Sequence, residues 1–106
     1  MKKKISFLIT HYNRFENLDF CIKAIQNANV PFDYEIVISD DGSEKEIQEK
    51  IKDLNVDQIS ISLKNEGLAH NINKGMRACN GDFIFYCQDD FYINYESNFR
   101  NVLEEA

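Results

Sequence analysis

YEIVISDDGS, residues 34–43, is the stretch that decides the fold. It begins as a short run rich in Ile, Val and Tyr, which is typical of a buried β-strand. The run ends abruptly in two carboxylates, a glycine and a serine, and an Asp-Gly pair at a strand end is typical of a tight turn. The stretch therefore predicts a strand, then a turn, then the start of a helix.

The same pattern occurs at two other places in the chain. KISFLIT (4–10) is followed by His-Tyr-Asn, and DFIFYC (82–87) is followed by Gln-Asp-Asp. A fourth segment, DQISISL (57–63), alternates polar and apolar residues, which predicts a strand with one exposed face or a position at the sheet edge. These four segments are the predicted strands.

The segments between the strands have helical periodicity. Three inward stripes are predicted: Phe15, Leu18, Ile22 and Ile25; then Ile47, Ile51 and Leu54; then Leu68, Ile72, Met76 and Cys79. A further helix is predicted after about Tyr95. Because the first, second and fourth strands are apolar on both faces, the predicted class is α/β, with a Rossmann-like, mostly parallel sheet and helices on both faces.

Two helix starts carry the spacing of a side-chain cap. Asn13 is followed three residues later by Glu16, and Ser43 is followed in the same way by Glu46. Both pairs predict an N-terminal cap, the second as a capping box.

Size and charge narrow the function classes. The chain has 106 residues, which suits one domain, and 18 acidic against 12 basic side chains give a net charge of -6. This balance argues against non-specific nucleic-acid binding. The three cysteines have apolar neighbours and no C-x-x-C spacing, which predicts buried reduced thiols. No signal peptide or membrane-length apolar run is evident, so the expected location is cytoplasmic.

The polar ends of three strands point to one site. In open parallel α/β sheets, ligands bind outside the carboxyl ends of the strands. Asp89 and Asp90 are adjacent carboxylates, suited to Mg²⁺ or Mn²⁺ together with substrate phosphate. Asp41 could accept a hydrogen bond from a ring N–H of uracil, thymine or guanine, and Tyr12 could stack on that base. The alternatives are a solvated acidic turn at 89–90 and simple packing for Tyr12.

Other chemistries find less support in the sequence. There is no G-x-x-x-x-G-K-[ST] loop and no G-x-G-x-x-G fingerprint, and no Ser or Cys lies in a nucleophile elbow. His11 and His70 have no metal-ligand spacing, and a structural or surface role is predicted for each.

Three motifs in order resemble family 2 glycosyltransferases of the GT-A fold. They are ISFLITHYNRFENLDFCIKAI, YEIVISDDGS and NEGLAHNINKGMRACNGDFIFYCQDD, and together they cover nearly the whole chain. The resemblance implies a donor-binding part of a metal-dependent, inverting enzyme of polysaccharide biosynthesis. Such an enzyme transfers a sugar from a nucleoside diphosphate sugar, here a UDP-sugar, to a glycan or lipid-linked acceptor, and the parent protein could associate peripherally with the inner membrane face.

The resemblance also implies roles for individual residues. Thr10 and Tyr12 would line the base pocket, and Asp41 would hydrogen-bond the base. Asp89 would lie against the ribose and the metal, and Asp90 would bind the Mg²⁺ or Mn²⁺ that holds the diphosphate.

The chain departs from the family pattern in two ways. Ile72 precedes Asn73 where many relatives have Arg or Lys, so Lys74, Arg77 or Arg14 would have to compensate at the phosphate. The acceptor-binding half and the general base of such enzymes lie after the metal motif. Residues 1–106 are therefore expected to be a single nucleotide-sugar-binding domain that is inactive alone, with its catalytic base beyond residue 106.

Two other functions stay open. One is a non-catalytic nucleotide or nucleotide-sugar binding module. The other is a receiver-like signalling domain, which also gathers acidic residues and Mg²⁺ at strand ends. The receiver is less favoured because its acidic pair would follow the first strand, where this chain has Thr-His-Tyr-Asn.

Overall fold

The computed structural model describes residues 3–88, and the fold within them is an α/β sandwich. Strands and helices alternate as predicted: β1 (Lys4–His11), α1 (Phe15–Asn27), β2 (Asp33–Asp40), α2 (Lys45–Lys52), β3 (Gln58–Ile61), α3 (Leu68–Ala78) and β4 (Phe83–Gln88). The predicted helix after about Tyr95 lies outside the described residues.

The four strands form one parallel sheet in the order β3-β2-β1-β4. This is the Rossmann order, in which the chain reverses direction across the sheet between β1 and β4. A receiver-like domain would place β1 between β2 and β3, so the observed order excludes that alternative. The short β3 is at one edge of this sheet, as its alternating sequence predicts.

Different helices cover the two faces of the sheet. Ile5, Phe7 and Ile9 of β1 share one apolar core with Leu18 and Ile22 of α1. Leu8, which points to the opposite face, meets α3. The predicted inward stripe of α1 is confirmed, with Phe15 only half-buried at its start.

The predicted inward face of α3 is wrong at two of its four positions, while Ile72 and Cys79 are half-buried. Leu68 and Met76 are 52% and 47% exposed, while Asn71 and Gly75 are the buried positions of this helix. Gly75 faces Leu8 so closely that an added Cβ would lie 2.4 Å from its Cδ1. The helix is therefore rotated by about one residue, because a glycine allows closer contact with the sheet than the larger apolar side chains would.

The buried polar side of α3 is held by paired hydrogen bonds. The Ser39 hydroxyl donates to Asn71 Oδ1 at 2.7 Å, and the Asn71 amide donates to the Ser39 carbonyl at 2.9 Å. A buried amide with partners on both its groups fixes one orientation of the helix on the sheet. Hydrophobic periodicity carries no signal for such a pair.

Strand β4 is also less covered than its sequence predicts. Cys87 is buried and Phe85 packs against the core on the α1 side. On the other face Ile84 and Tyr86 remain 40% and 36% exposed. The apolar run thus predicts this strand correctly, but its prediction that both faces are buried is wrong.

Both predicted helix caps are wrong. The N-cap positions are Arg14 for α1 and Glu44 for α2, and neither makes a side-chain cap hydrogen bond. Instead, the Asn13 carboxamide oxygen accepts the Glu44 N–H at 2.7 Å, so it serves the start of the other helix. The Ser43 hydroxyl bonds Asp40 and Asn13, not the backbone of the turn that follows it. Tertiary contacts between the two loops therefore replace the local caps.

The opposite end of the sheet is closed by a buried carboxylate. Glu35 of β2 accepts the Ser6 hydroxyl and the Asn80 N–H, both at 2.6 Å, and lies 3.8 Å from Lys4 Nζ. Burial by itself raises the pKa of Glu35, but these hydrogen bonds and the Lys4 charge lower it below its ordinary value overall. The side chain ties the α3–β4 loop to the sheet.

The cysteines are free thiols, as predicted. Cys21 and Cys87 are buried, and Cys79 is half-buried. The neighbouring Cys21 thiol and burial together raise the pKa of Cys87, and burial raises that of Cys79. Cys79 and Cys87 are therefore protonated packing elements.

Candidate functional site

A cavity of about 440 Å³ opens at the carboxyl ends of the strands, beside the point where the strand order reverses. Its walls come from the ends of β1, β2 and β4 and from the start of α3: Thr10, His11, Tyr12, Arg14, Asp41, Asn65, Gly67, Leu68, Asn71 and Gln88. Three of the predicted nucleotide-binding residues, Thr10, Tyr12 and Asp41, thus meet in one cavity. The predicted ligands Asp89 and Asp90 lie outside the described residues, although they follow directly on Gln88 of the wall.

Asp41 is fixed in place by the loop opposite it. Its Oδ1 accepts the Glu66 N–H at 2.8 Å, and its Oδ2 accepts the Gly67 N–H at 3.2 Å. The residue is only 6% exposed. A carboxylate oxygen has two lone pairs, so each oxygen can still accept a second donor. The sequence predicted Asp41 as a ligand contact but gave no sign that it also anchors the segment before α3.

The turn that carries Asp41 depends on Gly42. Gly42 has φ +76°, a left-handed conformation that suits glycine, and a Cβ there would lie 2.4 Å from the backbone carbon of Lys64. The glycine therefore lets the β2–α2 turn approach the β3–α3 loop, which brings Asp41 within reach of the two N–H groups.

Thr10 and Tyr12 differ in their exposure to the cavity. Thr10 is 5% exposed, and its Oγ1 lies 2.9 Å from the Tyr86 hydroxyl on β4. Tyr12 is 44% exposed. An aromatic ring that is this exposed could pack against a planar ligand. Tyr86 was missed by sequence reasoning, although the two-residue period places it on the same strand face as Gln88.

A buried polar cluster supports the wall from behind. His11 Nδ1 lies 2.8 Å from Asp40 Oδ1, and the Arg14 N–H donates to His11 Nε2 at 2.9 Å. Because Nε2 is an acceptor, the ring hydrogen of a neutral His11 is on Nδ1 and is donated to Asp40. The structural role predicted for His11 is confirmed. His70 is at the surface beside Glu66, with 2.9 Å between Nε2 and Oε2, as its prediction also allowed.

Ser43 completes this cluster and links two loops. Its hydroxyl donates to Asp40 Oδ1 at 2.6 Å, and its oxygen accepts the Asn13 N–H at 2.8 Å. Burial by itself raises the pKa of Asp40, but the hydrogen bonds from His11 and Ser43 lower it below its ordinary value overall. The β1–α1 and β2–α2 loops are thereby held as one unit.

The combination of Ser43, His11 and Asp40 is not a hydrolytic triad. In such a triad the serine hydroxyl faces the histidine nitrogen that takes its proton. Here Nε2 is occupied by a backbone N–H, and the Ser43 hydroxyl donates to Asp40 instead. All three side chains are buried. The cluster positions the loops and does not expose a nucleophile.

The basic residues predicted near a phosphate take different places. The Lys74 ammonium donates to the Asp40 carbonyl and the Ser62 hydroxyl, both at 2.7 Å. Burial lowers the pKa of Lys74 more than the nearby acidic groups raise it. Lys74 is therefore a structural link between β2 and β3. Arg14 lines the cavity, and Arg77 is in the last turn of α3.

The described part of the chain offers no set of metal ligands besides the predicted pair, Asp89 and Asp90, which lies outside it. Between residues 3 and 88, no group of three or more His, Cys, Asp or Glu side chains could hold a metal ion. Across that range, too, no helix is both long and apolar enough to span a bilayer.

Comparison with known proteins agrees with this architecture. The chain is 35% identical over 105 residues to a cholesterol galactosyltransferase of Borreliella burgdorferi, a match that covers 96% of this chain and 28% of that protein. The fold is similar to the mannosyltransferase PcManGT from Pyrobaculum calidifontis, solved with GDP-Man and Mn²⁺, with a TM-score of 0.81 at 15% identity. That match covers 98% of this chain and 32% of the other.

A third similarity is to S. aureus TarS 1-349, solved in complex with UDP-GlcNAc. The TM-score is 0.72 at 25% identity, over 94% of this chain and 30% of that one. The chain thus spans about a third or less of the length of the proteins it matches. The family model for glycosyl transferase family 2 matches residues 6–106, nearly the whole sequence. With this match and with the GT-A-like fold, the chain belongs to glycosyl transferase family 2.

Proposed function

We propose that this chain is the donor-binding part of a metal-dependent, inverting glycosyltransferase that uses a UDP-sugar. The observation that carries the proposal is the convergence of Thr10, Tyr12 and Asp41 on one cavity at the switch in strand order. Ligands of open α/β folds bind at that position.

The cavity can distinguish bases through Asp41. The two hydrogen bonds from Glu66 and Gly67 hold this carboxylate as a preoriented acceptor. Uracil and guanine carry a ring N–H that it could bind, whereas adenine and cytosine do not. Tyr12 would stack on the base. The S. aureus TarS structure with UDP-GlcNAc, at 25% identity, supports uracil as the base.

The diphosphate would be held by the metal and by a basic residue. Of the three basic candidates, only Arg14 is among the residues that line the cavity; Lys74 donates to Asp40 and Ser62, and Arg77 is in the last turn of α3. We assign the phosphate contact to Arg14. Asp89 and Asp90 would hold Mg²⁺ or Mn²⁺, which act as Lewis acids on the charge of the departing nucleoside diphosphate. The similarity to a mannosyltransferase solved with Mn²⁺ supports this choice of ion.

The proposed transfer also needs a general base and a site for the acceptor. His11 is buried with both ring nitrogens hydrogen-bonded, and the open lone pairs of Asp41 are assigned to the base of the nucleotide. We place the base that removes the proton of an acceptor hydroxyl beyond residue 106, as the family resemblance implies, together with the site for a glycan or lipid-linked acceptor. The same observation favours a second candidate for this chain alone, a nucleotide-sugar binding module without transfer.

Titration calorimetry of the 106-residue chain with UDP tests the proposal. We expect binding in the presence of Mn²⁺ and a loss of at least about tenfold in affinity with EDTA. The matched comparison is ADP, which has the same diphosphate but no ring N–H for Asp41. Equal affinity for UDP and ADP would show that the cavity does not recognise the base, and no binding of either would contradict the proposal as a whole.

A further inference from the structure

Tyr86 reaches the cavity through Thr10. In the parallel register Thr10 pairs with Gln88 and Leu8 pairs with Tyr86, so Tyr86 and Thr10 lie diagonally across β1 and β4. Their side chains are on the same face of the sheet, and the two hydroxyl oxygens are 2.9 Å apart. Among residues 3–88, the Tyr86 hydroxyl is the hydrogen-bond partner of Thr10 Oγ1.

The direction of this hydrogen bond decides what Thr10 can offer a ligand. Each hydroxyl has one hydrogen to donate and two lone pairs. A phenol is the better donor of the two, since it is more acidic than an aliphatic hydroxyl. When Tyr86 donates to Thr10 Oγ1, the hydrogen of Thr10 is left to point elsewhere. Thr10 lines the cavity, so that hydrogen is available to a ligand acceptor.

We propose that Tyr86 is a positioning residue for base recognition: by donating to Thr10, it commits the Thr10 hydroxyl to donate to a carbonyl oxygen of the bound base. The inference rests on the proposed function and extends it. Asp41 then supplies an acceptor and Thr10 a donor on the same cavity wall. The matching ligand edge is a ring N–H beside a carbonyl, as in uracil and guanine, whereas adenine has no carbonyl oxygen.

The test is a double-mutant cycle on the 106-residue chain, with UDP affinity in Mn²⁺ as the readout. Tyr86→Phe keeps the ring and removes the hydroxyl, and we expect UDP affinity to fall about threefold to tenfold. Thr10→Val removes the donor itself and should lower UDP affinity by at least as much. The double variant should match Thr10→Val within about twofold, because Tyr86 acts only through Thr10.

Two controls separate positioning from a general loss of structure. Tyr34→Phe removes a hydroxyl from a ring that packs edge-on against Phe7, on the α1 side of the sheet, and should leave UDP affinity unchanged. The weak affinity for ADP should be the same in Tyr86→Phe and the parent chain, because adenine offers the Thr10 hydroxyl no carbonyl. Thermal unfolding of each variant shows whether the fold is retained.

The outcomes distinguish this inference from the proposed function. If Asp41→Asn weakens UDP binding while Tyr86→Phe does not, the role of Tyr86 is overturned and the nucleotide site stands. Additive losses in the double variant, or equal losses for UDP and ADP, would also overturn the link through Thr10. If the parent chain binds no UDP, the proposed function fails first and this inference fails with it.

Discussion

His11 and Asp40 form a buried hydrogen bond, with Nδ1 2.8 Å from Oδ1 and both side chains closed to solvent. They are the register-paired residues that end β1 and β2. Their hydrogen bond therefore fixes the two loops that lead to Tyr12 and Asp41. The geometry of the cavity depends on a pair that itself contributes no exposed polar group.

This pair predicts a loss of stability in acid. The pKa of Asp40 in the folded chain is below its ordinary value of 3.8, so the unfolded chain binds a proton more readily. The stabilisation is present above that value and is lost as the pH falls through the lower, folded-state pKa. Glu35 acts in the same direction from its ordinary value of 4.5. Urea unfolding at a series of pH values below about 5 should show the free energy of unfolding decreasing.

Substitution of Asp40 tests whether this residue causes the acid sensitivity. Asp40→Asn should lower the free energy of unfolding at pH 7 by about 1–3 kcal/mol, since it disturbs a buried charge-assisted network, and should flatten the acid dependence. The control is Asp33→Asn at the exposed first residue of β2, for which neither effect is expected. Identical acid profiles for the parent and Asp40→Asn would contradict the assignment.

Sequence patterns predicted the fold well because the signals are local and repeated. Each apolar run ending in polar residues marks a strand, and three amphipathic segments mark the helices that link the strands in parallel. The inward face of α3 was mistaken because hydrophobic periodicity ranks Leu68 and Met76 above Gly75. It cannot represent the close approach of Gly75 to Leu8.

The candidate site was predictable in part. Thr10, Tyr12 and Asp41 stand at strand ends, and parallel topology brings strand ends together. The caps of Asn13 and Ser43 were mistaken because their polar atoms bond across the two loops, a choice that depends on spacing in three dimensions. Tyr86 was missed for the same reason, since its partner is 76 residues away along the chain.

The tight turn at Gly42 yields a prediction with a matched control in the same chain. Gly42 and Gly67 both have positive φ, but a Cβ at Gly42 would meet the Lys64 backbone, whereas a Cβ at Gly67 would have nothing within 4 Å. Gly67→Ala should therefore cost only the backbone strain, about 1–3 kcal/mol for its φ of +99° and ψ of +162°. Gly42→Ala should cost at least about 1 kcal/mol more, measured by chemical denaturation. Equal losses of stability would contradict this prediction and would mean that the loop at residue 64 moves away from the added Cβ at no cost in free energy.

Asp41 should control which nucleotide binds. If it accepts a ring N–H, UDP, dTDP and GDP should bind better than CDP and ADP. Asp41→Ala should remove that preference, with a loss for UDP of about tenfold or more, because a hydrogen bond to a charged group contributes about 1.5–3 kcal/mol. Asp33→Ala is the matched control at the other end of β2. A parent chain that prefers ADP would rule out this role for Asp41.

Asp90 should control the metal dependence of binding. Removing a carboxylate that ligates a hard divalent cation weakens binding of the cation. Binding of the diphosphate that the cation holds is weakened with it. Asp90→Asn should therefore lower UDP affinity by about tenfold or more in Mn²⁺ and leave it unchanged in EDTA. Calorimetry in both buffers makes the comparison within one variant. Equal affinity of variant and parent in Mn²⁺ would remove Asp90 from the metal site.

The last prediction separates binding from turnover in residues 1–106. The cavity offers contacts for a base and, through Arg14, for a phosphate, so UDP should bind unaided in Mn²⁺. His11 is buried with both ring nitrogens hydrogen-bonded, and Asp41 is assigned to the base of the nucleotide, so neither is placed to deprotonate an acceptor. Acceptor positioning and general base catalysis contribute a large part of an enzyme's acceleration. UDP release from a UDP-sugar should therefore stay at the rate without protein, even where calorimetry detects binding. Release that requires the acceptor and is abolished by Asp90→Asn would show that a general base is already present within this chain.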